Sequence, residues 1–399
     1  MKDESKKQDD FRVFLQQNNV SGTVTIFGCG YVGKIVMYLC KYIYNFRIRE
    51  CLDNNEKRTG ELFWNDIVCK IPQDGDVNTN VLIAINDDKI VNKIENQCLS
   101  IGYKNVYKVN EDLIFSAMNE LSDRECVYIR YYARTGQYLN LERPITFNEK
   151  LQWLKVYDYK PIYNTLTDKL AAKEYIGSLI GEEHIIPTIG IWDSFDDIDF
   201  STLPKYFVLK CSHDSGSAEI ILDKDTIDKI SLKKKYDKTM SRDYYWAGRE
   251  HGYKGIPRKI IAEPKLNRDS KDDVKDYKVF CFDGVPKLIQ VDYGRFHNHT
   301  RVMYSTEWEP LGFSTCYPYG GDDIESKPDN LNKLLELASV VSAGISHVRA
   351  DFYLIDNKIY FGEMTFHHGS GCERFSDEEW NYRLGEYLKL PEKSININD

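Results

Sequence analysis

Two neighbouring stretches near the C-terminal end carry residues whose types and spacing could bind a metal ion. The segment HVRADFYLIDNKIYFGEMTFHHGSG, at 347–371, reads as two strands joined by a short turn. A three-residue hairpin loop would pair Ile355 with Ile359, and on that register Asp351 lies directly opposite Glu363. Two facing carboxylates normally destabilise a sheet, so a cation is expected between them.

Two kinds of cation could make this pair tolerable. Mg²⁺ would turn Asp351 and Glu363 into ligands, since it binds few protein carboxylates and completes its shell with phosphate and water. Alternatively, Arg349, which lies on the same face opposite Thr365, would neutralise the acids as an ion cluster. The Gly-rich tail after Glu363 suits close approach of a phosphate, so we predict a metal site. Removing either carboxylate should then relieve repulsion and raise stability when no metal is bound.

Other stretches provide the remaining parts of a phosphate site. They are Lys169 at a helix start, Lys210 at a strand end, a loop with Ser212, Ser215, Gly216 and Ser217, Glu263 and Pro264 at another strand end, and Lys278 on a hairpin with an Asp283-Gly284 turn. Each has an ordinary alternative, such as a solvated lysine or a plain loop. Together they match phosphoryl chemistry, which needs cations and donors for phosphate oxygens and oxygen ligands for Mg²⁺.

An earlier stretch has the spacing of a dinucleotide-binding loop. The segment GTVTIFGCGYVGKIVMYLCKYI gives a short strand, then Gly28, Gly30 and Gly33, then a helical pattern, and Asp53 ends the next strand. Such glycines allow a tight turn, the helix N-terminus attracts phosphate, and the acid binds ribose hydroxyls. NVLIAI and NVYKV read as further parallel strands of a small doubly wound α/β domain. The loop is either a ligand site or scaffold.

Length and composition limit the class of protein. A chain of 399 residues is too long for one ordinary core, and its net charge of −9 argues against a nucleic-acid or anionic-membrane partner. No apolar signal region or membrane-spanning run is apparent. The ten cysteines include no C-x-x-C pair and read as reduced thiols of a cytoplasmic protein.

The pattern along the chain predicts three parts. Residues 1–19 form a flexible or helical N-terminus, 20–120 a Rossmann-like domain that binds a nucleotide or nucleotide-sugar, and 121–399 a catalytic domain. The stretch at 111–136 reads as a helix that carries the chain into the catalytic domain.

Residues of about 125 to 390 resemble the TupA-like ATP-grasp proteins of bacterial cell-surface polysaccharide clusters. The matching segments include TDKLAAKEYI, LPKYFVLKCSHDSGS, IIAEPKL, DYKVFCFDG and VRADFYLIDNKIYFGEMTF. The front stretch, with FGCGYVGKI and CLDNNEKRTGELFWNDIVCKIP, resembles the Rossmann-like domain of bacterial sugar N-acyltransferases, where the glycine loop holds a nucleotide-sugar. The implied fold class is α/β, a Rossmann-like doubly wound parallel sheet followed by an α+β ATP-grasp fold.

This resemblance implies ATP and Mg²⁺ as cofactors and a role for each matching residue. Lys169 and Lys210 hold the phosphates of ATP. The other implied nucleotide contacts are a flexible flap of Ser212, His213, Ser215, Gly216 and Ser217, and a hinge of Glu263, Pro264 and Leu266 at adenine and ribose.

The implied metal and catalytic residues lie on the last strands. Asp351 and Glu363 bind Mg²⁺ or the γ-phosphate, together with Arg349. Thr365 stands where many relatives have asparagine, so a second magnesium site stays open. Lys278 is the basic residue on the strand after the hinge.

The implied reaction is ATP-dependent and ADP-forming: a carboxylate is phosphorylated and an amine then forms an amide. Positioning and charge stabilisation carry such catalysis. Arg295 is either a bidentate clamp for the acceptor carboxylate or an ordinary surface arginine. The family context implies a sugar uronic acid of capsule or O-antigen type polysaccharides as the substrate. A kinase of the same fold, a glycosyltransferase, a non-catalytic scaffold and a homo-oligomer all stay open.

Overall fold

The computed structural model describes residues 9–64, 67–266, 275–294, 298–355 and 357–394. Contacts between residues divide the chain into two compact units, Met1–Leu139 and Asn140–Asp399. We call these unit 1 and unit 2. Within the described ranges, no helix is long and apolar enough to cross a membrane.

Unit 1 is built on a largely parallel six-stranded sheet. Its helices are α1 (Asp10–Gln17), α2 (Tyr31–Tyr38), α3 (Asp88–Ile101), α4 (Glu111–Asn119) and α5 (Asp123–Thr135). Its strands are β1 (Thr23–Phe27), β2 (Arg47–Leu52), β3 (Leu62–Trp64), β4 (Ile67–Lys70), β5 (Asn80–Ile83) and β6 (Asn105–Lys108). The strand order is β3-β4-β2-β1-β5-β6, and only β3 pairs antiparallel with its neighbour. The predicted parallel pairing is confirmed, whereas the short antiparallel β3 was not predicted.

Both faces of this sheet are covered, because alternate residues of a buried parallel strand point to opposite sides. On β1, Val24 and Ile26 join one apolar cluster, together with residues of α1, α4 and α5. Phe27 joins a second cluster with Val91 and Ile94 of α3. Helices therefore pack on each side of the central strands.

The helix predicted at 111–136 is two helices. Ser122 caps α5 with a reciprocal capping box, in which its hydroxyl accepts from the Glu125 backbone and the Glu125 carboxylate accepts from the Ser122 backbone. This cap starts a new helix and ends the run of α4. Because α5 packs against α2, it belongs to unit 1, and the boundary between units lies later than residue 120.

Unit 2 contains two antiparallel sheets. Its helices are α6 (Phe147–Tyr157), α7 (Ile162–Thr167), α8 (Lys169–Ile180), α9 (Lys229–Met240), α10 (Tyr245–Gly248), α11 (Leu331–Ser342) and α12 (Glu379–Tyr387). Its strands are β7 (Gly190–Trp192), β8 (Phe207–Cys211), β9 (Glu219–Ile221), β10 (Ile260–Pro264), β11 (Asp276–Phe282), β12 (Val285–Tyr293), β13 (Thr300–Ser305), β14 (His347–Ile355) and β15 (Lys358–Thr365). The small sheet has the order β7-β10-β8-β9, and the large sheet has the order β13-β12-β11-β14-β15.

The large sheet has one apolar and one charged face, as period-two alternation requires. Val279, Val291 and Ala350 are fully buried and belong to the core cluster that includes α11. Residues one position away in sequence, such as Lys278 and Asp351, point to the opposite face. That charged face carries the candidate site.

The last hairpin has the predicted pairing of Asp351 with Glu363, but its turn and its register differ from the prediction. Ile355 pairs with Lys358, so the predicted pairing of Ile355 with Ile359 is wrong. A bulge at Gly362 then shifts the register by one residue, and Asp351 faces Glu363 as predicted. Glycine suits the bulge, because a Cβ there would lie 3.0 Å from the Asp351 carbonyl oxygen, closer than an ordinary contact.

The cysteines are all free thiols, and eight of the ten are buried. Three of them cluster beside the glycine loop, with the Cys29 sulfur 3.0 Å from that of Cys51 and 2.7 Å from that of Cys69. Burial and thiol contacts raise the pKa of all three thiols, which keeps them protonated.

Candidate nucleotide and metal site

A row of charged and polar side chains crosses the large sheet on the face away from its core. Strand register places Arg301 opposite Asp292, and it places Gln290, Lys278, Asp351 and Glu363 opposite one another in turn. Asp292 and Gln290 are two residues apart on the same face of β12, which joins the two parts of the row. From β13 to β15 the row consists of Arg301, Asp292, Gln290, Lys278, Asp351 and Glu363. The acid pair predicted from sequence is the end of this row.

Asp351 is buried and is neutralised by two cations. Arg349 donates from Nε to Oδ1 and from Nη2 to Oδ2, both at 2.7 Å, and Lys278 Nζ donates to Oδ2 at 3.0 Å. Burial opposes ionisation of Asp351, but Arg349 and Lys278 outweigh it and lower the pKa of that carboxyl. The same pairing raises the pKa of Lys278 despite its burial. The ion cluster with Arg349, the alternative to a metal ion at this pair, is therefore present, and Lys278 adds a second cation to it.

Glu363 is in a different environment from its partner. Its side chain is 43% exposed, and its Oε1 lies 4.0 Å from Arg349 Nη2. The Thr365 hydroxyl donates to Oε1 at 3.3 Å and accepts from Arg349 Nη2 at 3.3 Å. Glu363 thus has oxygen atoms available to a ligand, whereas Asp351 shares its oxygens with protein cations.

These residues fit Mg²⁺ only as a site completed by phosphate and water. Within the described residues, no group of three or more His, Cys, Asp or Glu side chains could hold a metal ion. Mg²⁺ commonly binds through one or two carboxylates and substrate phosphates. Glu363, Asp351 and the Thr365 hydroxyl would be the protein oxygens of such a site.

The small sheet offers an apolar face with two charged groups. Ile261, Lys210 and Glu263 share the face opposite the cluster that contains Leu209 and Ala262. The same face includes exposed isoleucines on the two edge strands, Ile191 at 52% and Ile220 at 44% exposure. A flat apolar surface beside a lysine suits a base and its phosphates.

Glu263 links this face to helix α8. Its buried carboxylate lies 2.7 Å from Lys210 Nζ and 2.5 Å from Lys173 Nζ. Burial opposes ionisation, but the two lysines outweigh it and lower the pKa of Glu263. Sequence reasoning missed Lys173, although its position four residues after Lys169 places both lysines on one helix face.

The loop predicted as a phosphate flap is anchored at its base and open at its tip. Lys169 Nζ donates to the Asp214 carbonyl oxygen, and the Ser217 hydroxyl donates to Asp214 Oδ1 at 2.6 Å. Ser215 and Gly216 are exposed, and Gly216 has a φ of +97°, which favours glycine. Lys169, a predicted phosphate ligand, therefore contacts the predicted flap loop directly.

The other loop residues face inward. The Ser212 hydroxyl donates to the Pro257 carbonyl oxygen at 3.1 Å, and His213 Nε2 lies 3.3 Å from the Thr239 carbonyl oxygen. Burial lowers the pKa of His213, which favours the neutral ring. These contacts give Ser212 and His213 a structural role in holding the loop, in addition to the predicted contact with the nucleotide.

The pKa values of three tyrosines are affected by charged groups from several parts of the site. Asp276 is the largest cause that raises the pKa of Tyr353, and Glu363, Asp351 and Glu263 raise it further. The hinge glutamate of the small sheet and the acids of the large sheet thus act on one hydroxyl. Sequence reasoning missed Tyr353, which its position two residues after Asp351 on the same strand face could have indicated.

The second and third tyrosines, Tyr244 and Tyr253, have ring centroids 4.7 Å apart and are both affected by the charges of the loop and of the acid pair. Burial is the largest cause that raises the pKa of each, and Asp214 and Glu363 both add to it. Ser215 also contacts the hydroxyl of Tyr244, whose pKa is about 12. Nothing in the local sequence around these tyrosines signals this placement.

The remaining predicted residues of unit 2 are Pro264, Leu266 and Arg295. Pro264 ends β10, and the half-buried Leu266 follows it. Arg295, the predicted carboxylate clamp, lies outside the described residues.

The glycine loop of unit 1 has the geometry of a tight strand-to-helix turn. A Cβ on Gly33 would lie 1.7 Å from the Gly28 carbonyl oxygen, and Gly28 itself has a φ of +115°. Gly30 is the N-cap residue of α2, and a Cβ added to it would meet no atom within 4 Å. Asp53 accepts from the Cys29 backbone N–H at 2.9 Å, so its carboxylate holds the loop.

Comparison with known proteins identifies the family. Residues 149–389 match the family described as TupA-like ATPgrasp. The match covers more than half of the chain, which therefore belongs to the TupA-like ATPgrasp family. This confirms the predicted family and, with it, the ATP-grasp class of enzyme.

Solved structures with a similar arrangement are distant. D-alanine–D-alanine ligases from Bacillus anthracis, complexed with ATP, and from Helicobacter pylori are each 12% identical to the chain, with TM-scores of 0.31 and 0.32. The alignments cover 87% of this chain and 86% of the first, and 92% and 99% for the second. N5-carboxyaminoimidazole synthase from Aspergillus clavatus is 11% identical with a TM-score of 0.31, over 95% of this chain and 80% of that one. We draw no conclusion from likenesses of this degree, and no curated protein matches the chain.

Proposed function

We propose that unit 2 joins a carboxylate to an amine at the expense of ATP, releasing ADP and phosphate. Two observations carry this proposal: on the large sheet Glu363 faces Asp351 beside Arg349 and Lys278, and on the small sheet Lys210 and Lys173 bind Glu263. Lysines suited to phosphates and carboxylates suited to Mg²⁺ are the parts that phosphoryl transfer requires.

Each group has a task that its position supports. Lys169 and Lys210 would hold the phosphates of ATP, with Ser215 and Gly216 at the loop tip above them. The apolar face of the small sheet would receive adenine, with the hinge Glu263 to Leu266 beside adenine and ribose. Bound Mg²⁺ would neutralise phosphate charge next to Glu363.

The chemistry then needs no protein nucleophile. A carboxylate oxygen of the substrate attacks the γ-phosphorus, and the bond to the ADP oxygen breaks. The amine next attacks the carbonyl carbon, phosphate leaves with the bonding electrons, and the amine loses one proton. Arg349 and Lys278, which both bind Asp351, would stabilise the charge that develops in both steps.

For the substrate we propose a sugar uronic acid from capsule or O-antigen type polysaccharide synthesis, with a nucleotide-sugar bound at the glycine loop of unit 1. The open space at Gly30 and the N-terminus of α2 support a phosphate there. The anchoring of Asp53 by Cys29 leaves that carboxylate less free for ribose than the motif predicts.

A product screen tests the proposal and separates it from its alternatives. The full-length protein is incubated with ATP, Mg²⁺, uronic acids (free or nucleotide-linked) and a panel of amino acids, and ADP and products are measured. An amide formed with one ADP per product is the expected result. A stable phosphorylated sugar without need for an amine would indicate a kinase, and nucleotide-sugar consumption without ADP a glycosyltransferase.

Two variants make the screen specific to this site. Glu363→Gln should abolish ADP release, because it removes the more open ligand of the acid pair. Lys205→Met alters an exposed lysine next to Asp223, outside the site, and should keep wild-type ADP release. Equal activity in both variants would mean that the reaction occurs elsewhere.

A further inference from the structure

Three cysteine side chains of unit 1 lie together beside the glycine loop. Cys29 stands between Gly28 and Gly30, Cys51 lies in β2 and Cys69 lies in β4. Strands β2 and β4 pair in parallel, with Cys51 next to Cys69 in register. The proposed function uses the glycine loop but gives these three sulfur atoms no role.

The sulfur atom of Cys29 contacts both of the others. It lies 2.7 Å from the sulfur of Cys69 and 3.0 Å from that of Cys51. A disulfide bond is about 2.05 Å long, so the sulfurs of Cys29 and Cys69 need to move less than about 1 Å to form one. Rotation of the two side chains provides such a movement while the strands stay in place. The shorter distance selects Cys69 rather than Cys51 as the partner of Cys29.

Backbone contacts hold Cys29 in this position. Its N–H donates to Asp53 Oδ2 at 2.9 Å, and its carbonyl oxygen accepts from Arg58 Nη1 at 2.8 Å. The pairing of β2 with β4 holds the backbone of Cys69. Groups that are fixed at contact distance react as if at very high concentration, because no encounter step is needed. The loop therefore presents the two thiols to each other in a reactive arrangement.

Burial determines how this thiol pair reacts. Cys29 is 3% exposed and Cys69 is 2% exposed, so only a small reagent reaches them. The contact with Cys51 and burial raise the pKa of Cys29, and burial raises the pKa of Cys69. Because a thiolate is the attacking species in disulfide formation, the reaction is slow. Since no thiolate is stabilised in the reduced form, the disulfide is hard to reduce once it has formed.

We propose that Cys29 and Cys69 form a disulfide bond when the protein meets hydrogen peroxide, and that this bond ties the glycine loop to β4. One sulfur attacks a peroxide oxygen, the O–O bond breaks, and a sulfenic acid and one water molecule form. The second sulfur attacks the sulfenic sulfur, the S–O bond breaks, and a second water molecule leaves. The two sulfurs lose two electrons, which the peroxide takes up, and the two thiol protons end in water. This inference goes beyond the ligase reaction and does not depend on it.

Peptide mapping of the full-length protein tests the bond directly. Reduced protein is treated with a series of hydrogen peroxide concentrations, blocked with N-ethylmaleimide in denaturant and digested with trypsin. The sequence places the three cysteines on separate tryptic peptides, 13–34, 50–57 and 59–70. The expected product is peptide 13–34 linked to peptide 59–70. No such link at peroxide concentrations that oxidise the exposed Cys316, or a link to 50–57 in its place, would overturn the proposal.

Matched variants assign the product to this pair. Cys69→Ser should abolish the linked peptide, and Cys69→Ala serves if the serine variant folds poorly. Cys51→Ser should keep the link, because Cys51 is not part of the bond. Cys98→Ser alters another fully buried cysteine of unit 1, in α3, and should also keep it. Loss of the link in Cys51→Ser but not in Cys98→Ser would overturn a direct reaction between Cys29 and Cys69.

The melting temperature tests the tie to β4. Cys29 and Cys69 are 40 positions apart, and a bond between them restricts the unfolded chain. The oxidised protein should therefore melt at least about 5 °C higher than the reduced protein, and a reductant should reverse the shift. Peroxide should leave the melting temperature of Cys69→Ala unchanged. A linked protein that melts no higher than the reduced form would overturn the tie, because the bond would then distort the loop.

Discussion

The stability of the Asp351→Asn variant is the sharpest consequence of the site geometry. Asp351 is 4% exposed at its side chain and compensates Arg349 and Lys278, which are themselves 10% and 7% exposed. Replacing the carboxylate by an amide removes the negative charge that Asp351 places beside these two buried cations. Breaking a buried pair in this way costs about 3–5 kcal/mol of unfolding free energy. The sequence alone predicted the opposite sign, from relief of repulsion between two acids.

This cost translates into a large change in melting temperature. A domain of the size of unit 2 loses roughly 2–4 °C per kcal/mol, so Asp351→Asn should lower the melting temperature by about 6–20 °C. Glu363→Gln is the matched control, because its side chain is 43% exposed and its nearest cation is 4.0 Å away. The free energy of unfolding of that variant should change by less than about 1 kcal/mol.

Calorimetry at neutral pH without nucleotide or metal measures both variants. A double-mutant cycle with Lys278→Met isolates the pair, and the double variant should lose less stability than the sum of the two single variants. An unchanged or raised melting temperature for Asp351→Asn would refute the pairing, and the charge row of the large sheet with it. ADP release should be lost in Asp351→Asn and in Glu363→Gln, because each removes a proposed metal ligand.

Three further predictions concern nucleotide affinity, the glycine loop and acid stability. Lys210→Met should weaken ATP binding at least about tenfold in a calorimetric titration while Lys173 still compensates Glu263; unchanged affinity would exclude Lys210 from the phosphate site. Gly33→Ala should lower the melting temperature strongly because its Cβ would meet a carbonyl oxygen at 1.7 Å, and Gly30→Ala should not; equal stability of the two variants would contradict the described turn. The buried Glu250 and Glu373 have pKa values lowered to about 2, so their contribution is complete above the unfolded value of roughly 4.3 and is lost as pH falls from there towards 2. A melting temperature that stays constant between pH 5 and pH 2 would contradict this shift.

Much of the local structure of this protein follows from its sequence. Turn residues and alternating apolar positions predicted the last hairpin, and the opposition of Asp351 and Glu363 follows from that pattern. The exact turn does not follow from the pattern, because a two-residue turn with a bulge at Gly362 places Asp351 opposite Glu363 just as the predicted three-residue loop would. The parallel pairing of unit 1 was also predictable, since buried parallel strands read as apolar runs after glycine-containing turns.

The partners of the charged groups were decided by the tertiary structure. Sequence alternation tells which face of a strand a side chain occupies, but it does not tell which strand lies beside it. Lys278 neutralises Asp351 only because β11 pairs with β14, and Lys210 meets Glu263 only because β8 pairs with β10. The sign of the electrostatic energy at the acid pair depends on that strand order, which local patterns do not encode.

A small cavity in unit 2, lined in part by Asp158, Thr167 and His367, shows the same limit more strongly. Asp158, Thr167 and His367 come from a helix end, a second helix and the residue pair after β15, and no motif joins them. Hydrophobic periodicity and turn residues act over a few positions, so the sequence by itself determined strands, helices, faces and the family. Which polar atoms meet, and which are left without a partner, depended on packing between segments some 200 residues apart along the chain.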